Sequence, residues 1–145
     1  MILTKNFTLE EMTRSDTARR NQINNEPSAA VVENLGILCS RLLQPIREAW
    51  KKPIVVTSGY RCKTLNMMLG GSLTSQHMTG QAADFRTTSA TQEENCRLWQ
   101  LILTLDLPCD QLVWEYGSRS NGPDWIHISF GPKNRREIKY IGAKK

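Results

Sequence analysis

The chain has only two histidines, and each lies close to an aspartate. His77 stands in SQHMTGQAADF (75–85), seven positions before Asp84. His127 stands in DWIHISF (124–130), three positions after Asp124. Neutral imidazole and carboxylate are good ligands for zinc. Three protein ligands with an open fourth position make a catalytic rather than a structural zinc site. His77, Asp84 and His127 supply that count. Zinc held this way lowers the pKa of its water to about 7. A carboxylate must then move that water's proton to the leaving group. Asp124 is the nearest candidate. Taken singly, each of these residues is better explained as a solvated surface group or a satisfied hydrogen-bond partner. Both histidines falling in such settings is what favours a site.

The elements that carry these residues read as short strands. In WIHISF, a period of two puts Ile126, Ile128 and Phe130 on an apolar face. Trp125, His127 and Ser129 then face a cleft. In AADFR, with Phe85 turned to the core, Asp84 faces the cleft together with Ala82 and Arg86. His77 precedes that strand in a Gly-containing loop that can fold back over the sheet. Asp124 is out of phase with His127 on a regular strand. It is therefore expected in the turn after Gly122 and Pro123, free to swing toward the metal.

Around these strands the chain is punctuated clearly. Thr8 with Glu11 three positions later reads as a capping box that opens a short helix. Pro27 suits the first turn of a helix. Val32, Leu35, Leu38, Leu42 and Ile46 form a helical stripe running to about Trp50, with a kink or break expected at Pro45. KKPIVVTSGYR switches to β-branched residues and ends in a Gly turn. KTLNMMLGG reads as a short helix stopped by Gly70 and Gly71. ATQEENCRLWQLILTL is amphipathic, with Cys96, Trp99, Leu103 and Ile102 expected to face inward. QLVWEYG is a strand, separated from WIHISF by the turn-rich SRSNGPD. The order implies one α+β domain over 1–145, with a small, mostly antiparallel sheet and helices packed on one side.

Length, composition and charge narrow the function. One domain is expected for 145 residues. The net charge of +5 favours anionic partners or simply aids solubility. The positive charges are scattered, and no nucleic-acid-binding motif accompanies them, so nucleic acid is not the expected partner. Cys39, Cys62, Cys96 and Cys109 form no CxxC pair, so a cysteine zinc site has no support. Free buried thiols are expected, with one or two disulfides as the alternative. The start MILTKNFTLEEM does not read as a signal peptide, and no apolar run is long enough to span a bilayer. A monomer made in the cytoplasm is expected, one that can still act outside if lysis or another route releases it.

SQHMTGQAADF resembles the SxHxxGxAxD motif of the M15 zinc peptidases. These include D-alanyl-D-alanine carboxypeptidases, dipeptidases and phage endolysins that cut L-Ala-D-Glu bonds. Ser75, His77, Gly80, Ala82 and Asp84 match it position for position. Asp124, Trp125 and His127 resemble the family's second motif, and Ser58, Gly59, Tyr60 and Arg61 its SGYR element. The resemblance runs from about Leu35 to Phe130. It implies the M15 or hedgehog-like fold, and zinc on His77, Asp84 and His127 in a cleft on the sheet. It implies Asp124 as general base, and Arg61 as the arginine that binds substrate or polarises its carbonyl. Ser75 would bind substrate, orient a ligand or shape the loop. The function implied is hydrolysis of amide bonds in peptidoglycan stem peptides. The alternative is a zinc-binding but inactive cell-wall or peptide-binding module. Three further readings stay open. Glu115 is either an ordinary strand residue or a partner of a ligand histidine or Arg61. Trp114 and Trp125 line a groove or belong to the core. Met67, Met68 and Met78 pack near the site.

Overall fold

A computed structural model describes residues 1–145. The β-branched run at Ile54–Ser58 forms strand β3, which follows a small hairpin of β1 (Ile2–Thr4) and β2 (Phe7–Thr8). β4 (Ala82–Thr87), β5 (Gln111–Glu115), β6 (Trp125–Ser129) and β7 (Glu137–Ile141) complete the main sheet, in the order β3-β4-β6-β5-β7. The first three pairings are antiparallel, as expected, while β7 joins β5 in parallel at the edge. The sequence reading had no β7. Its residues are almost all exposed, so no apolar alternation marks it.

The helices begin where side chains can cap them. Thr8 accepts from the Glu11 N–H at the start of α1 (Leu9–Thr13), the bond the capping box calls for. A second short helix, α2, spans Asp16–Arg20. Ser28 caps α3 (Ala29–Leu38), α5 (Lys63–Met68) follows β3 where a short helix was expected, and Thr91 caps α6 (Gln92–Leu105). Between α3 and α4 (Gln44–Trp50) the chain makes one wide, π-helical turn over Cys39–Leu43, closed by the Gln44 N–H on the Cys39 carbonyl. Pro45 has no N–H to offer the preceding turn. The wide turn absorbs that loss just before it, so the helical path bends its register without breaking.

The core lies between the sheet and the helices α3, α4 and α6. Leu35, Leu38, Leu42 and Ile46 come from the helical stripe, and Val56, Phe85, Ile126 and Ile128 from the strands. In α6 the inward residues are Leu98, Trp99 and Ile102, with Cys96 half-buried. Leu103 is 45% exposed, against the sequence expectation. The buried stripe steps 98, 99, 102, and position 103 has turned past its edge. Trp114 is buried and packs edge-on against Trp99, so it belongs to the core and not to a groove. All four cysteines are free thiols: Cys39 and Cys109 are buried, Cys62 and Cys96 partly exposed. Burial pushes the Cys39 thiol up to about 12, with a smaller push from Glu11, which keeps it an inert core group. No helix is long and apolar enough to cross a membrane.

Candidate metal centre

The face of the sheet away from the core carries the site. Antiparallel pairing sets Asp84 of β4 directly opposite His127 of β6. Cross-strand partners share a face, so one register fixes both side chains on the cleft side. His127 Nδ1 lies 2.9 Å from Asp84 Oδ1. His77 arrives from a 3₁₀ turn, Gln76–Thr79, which precedes β4. Its Nε2 lies 3.4 Å from the same oxygen. Two imidazole nitrogens and one carboxylate oxygen thus converge within 4.8 Å of one another. Tetrahedral zinc with bonds of about 2.0–2.2 Å needs donors about 3.3 Å apart. The nitrogen, nitrogen and oxygen donors, in number and spacing, fit that ion.

Groups outside the triad hold His77 and Asp84 in place. His77 Nδ1 is 2.7 Å from the Gly59 carbonyl, which can only accept. The ring proton is therefore on Nδ1, and the Nε2 lone pair is free for a metal. Gly59 itself is packed against the backbone of α1: a Cβ there would lie 2.2 Å from the Met12 carbonyl oxygen. Gly80 ends the 3₁₀ turn at φ +74, where a Cβ would also press on the Val31 carbonyl. The Ser75 hydroxyl accepts from the His77 N–H and so shapes the loop.

Arg61 is 15% exposed and reaches the outer oxygen of Asp84, Nη2 to Oδ2 at 3.3 Å. Its Nε donates to Ser58 Oγ at 2.9 Å, and its backbone N–H to the His77 carbonyl. The guanidinium therefore steadies the carboxylate and leaves Oδ1 to the histidines. Burial alone would raise the Asp84 carboxyl. Hydrogen bonds from His77 and His127, and their charges when the rings are protonated, outweigh it and hold Asp84 well below the usual carboxylate range.

His127 opens the triad onto a cavity of about 500 Å³ that Glu115, Ser75, Gln111 and Arg135 also help to line. Glu115 pairs with Trp125 and so faces the cleft, one diagonal step from His127. Burial raises its carboxyl, as does the Asp84 charge, against the pull of His127 and Arg61. Asp124 is placed differently. Its exposed carboxylate accepts from Gln92 Nε2 at 3.0 Å, at the start of α6. It shares the phase of Ile126 and Ile128, and so turns toward the helix side. Its backbone is tied there too, because buried Asn95 of α6 donates to the Asp124 and Pro123 carbonyls. The expected swing toward the metal is not the arrangement found.

Sequence reasoning missed the supporting groups. Asn66, fully buried, takes Arg61 Nη1 at 3.4 Å and donates to the Ser72 carbonyl. Asp110 binds Gln76, next to His77, and also Arg135. The Asp110 contacts join stretches 34 and 25 positions apart, and the Asn66 contacts, though only 5 and 6 positions long, follow no helix or strand period.

The sequence model of the Peptidase M15 family matches residues 5–129. The chain belongs to that family. It is also similar to the zinc D-Ala-D-Ala carboxypeptidase of Streptomyces albus G, 36% identical over 80 residues. That alignment takes in 54% of this M15 chain and 30% of the Streptomyces enzyme. The chain thus spans less than a third of that relative.

Proposed function

We propose that this M15 chain is a zinc peptidase that hydrolyses an amide bond in peptidoglycan stem peptides. The observation that carries the reading is the convergence of His77 Nε2 and His127 Nδ1 on Asp84 Oδ1 at the edge of an open cleft. Zinc bound there would supply Lewis acidity and an activated water at neutral pH. The name of the Streptomyces relative favours both the metal and a peptide substrate that carries D-Ala-D-Ala. The chain's positive charge suits an anionic wall.

The protein groups divide the work. The His77 Nδ1–H, held on Gly59, keeps its Nε2 aimed at the metal position. Arg61 fixes Asp84 and is close enough to the ligands to meet a scissile carbonyl. Ser75 Oγ lines the cleft while accepting from His77, so its own proton is free for a substrate carbonyl. We assign the proton-moving carboxylate to Glu115. It faces the cleft beside His127, whereas Asp124, the base the family resemblance implied, is engaged with Gln92. Glu115 takes a proton from water and passes it to the leaving amine. A carboxyl raised by burial suits both halves of that transfer.

The test is a digest of purified muropeptides by the zinc-loaded protein, read by mass spectrometry. A defined mass loss is expected, and its size separates release of a terminal D-alanine from an internal cut. Glu115→Gln should keep zinc and slow the reaction by about 10²–10⁴-fold, the usual worth of general-base catalysis. Asp124→Ala should stay within a factor of about ten. The reverse pattern returns the base to Asp124. No cleavage by folded, zinc-loaded protein removes the peptidase reading and leaves a binding module.

A further inference from the structure

The far wall of the cleft has no task in the chemistry above. The strand register defines what stands there. Lys139 of β7 pairs with Val113 of β5, Val113 with His127, and His127 with Asp84. Lys139 therefore lies in the same row, on the same face, as two of the metal-ligand candidates. Two strand spacings, about 10 Å, separate its backbone from that of His127. Both residues line the same cavity.

The charges on that wall are unequal in their freedom. Arg135 is occupied: Nε and Nη2 bind the two oxygens of buried Asp110 at 2.8 and 3.2 Å. Glu115 faces the reacting centre. Lys139 touches only Glu137, at 3.4 Å, in a pair whose side chains are 46% and 39% exposed. Glu137 has a shorter partner in Gln111 Nε2, at 2.7 Å. An exposed pair of this kind holds its members weakly. The ammonium sits on a flexible stem and can change partner at little cost.

We propose that Lys139 is a specificity residue that receives a free carboxylate of the substrate peptide. This rests on the peptidase reading and adds the substrate class: an acidic peptide rather than a neutral one. An extended chain advances about 3.3–3.6 Å per residue. A peptide running from the metal toward β7 thus brings a carboxylate within about three residues of the scissile amide to Lys139. Stem peptides offer such a group at the D-Glu α-carboxyl and at the C-terminus.

Three synthetic stem pentapeptides test this at low ionic strength: the parent, its D-Glu α-carboxamide and its C-terminal amide. The zinc-loaded wild type should prefer the parent to one of the amides by about 10–100-fold in kcat/KM, the worth of a charge-assisted hydrogen bond, carried mainly by KM. Lys139→Gln should erase that preference, and Lys139→Arg should retain it. Zinc content and melting temperature check that both variants are folded. Equal kcat/KM for all three peptides overturns the assignment and leaves the peptidase reading intact. So does an equal loss on all three from Lys139→Gln. Failure of the wild type to cut any of them overturns the peptidase reading and the assignment together.

Discussion

The two faces of β4 and β6 differ at every second residue. Toward the helices stand Ala83, Phe85, Ile126 and Ile128, all fully buried and apolar. Toward the cleft stand Asp84 and His127, which bind each other, and Arg86, which donates to the Thr87 carbonyl. The first set supplies stability through area removed from water. The second concentrates charge where desolvation is costly and is offset only by mutual pairing. The same two strands therefore serve opposite ends, and substitutions should sort by the parity of their position.

The largest expected effect comes from the cleft face. His77→Ala removes one of three ligands, so zinc content should fall from about one per chain toward zero, with loss of activity. The circular dichroism spectrum should stay native. A metal-free, folded and active variant would sink the site. The core face should answer in the other way. Phe85→Ala should destabilise by about 3–5 kcal/mol, as for large cavities in packed cores. Calorimetry should record a drop of about 10 °C or more in Tm, while protein still folded at low temperature binds zinc normally. If Phe85→Ala instead lost zinc with an unchanged Tm, the division between faces would be wrong.

A smaller effect sharpens the comparison where the faces meet. Arg135 hydrogen bonds, against a smaller opposing effect of burial, hold the Asp110 carboxyl down to about 2. A depressed carboxyl stabilises the fold fully above its unfolded pKa and loses that contribution as pH falls through the folded one. Between about pH 4 and about 2, the wild type should therefore lose stability that Asp110→Asn has already lost at neutral pH. The variant should be weaker at pH 7 by about 1–3 kcal/mol. Its zinc affinity should also fall modestly, because Gln76 beside His77 loses its anchor. Parallel acid titrations of the two proteins would contradict this account.

Most of the ligand-bearing architecture was legible because it is local and periodic. Period two alone put His127 and Asp84 on the face away from Ile126 and Phe85, where the sheet has them. The capping box at Thr8 and the stripe along α3 and α4 were readable for the same reason. The parts that escaped are non-local. The His77 bond to Gly59 spans 18 positions, and the Gln92 bond that draws Asp124 to the helix side spans 32. β7 escaped because an exposed edge strand need not alternate. Its absence from the sequence reading also hid Lys139.

The register of β4 on β6 has a consequence for how the protein matures. Asp84 and His127 are 43 positions apart and meet only when those strands pair correctly. A slip of one residue would turn His127 toward the helices, leaving a compact chain with no place for an ion. Zinc uptake during refolding is then a proofreading signal. It follows closure of the long-range pairing, and pairings between distant strands form slowly in general. Only correctly paired molecules gain the added stability of the bound ion.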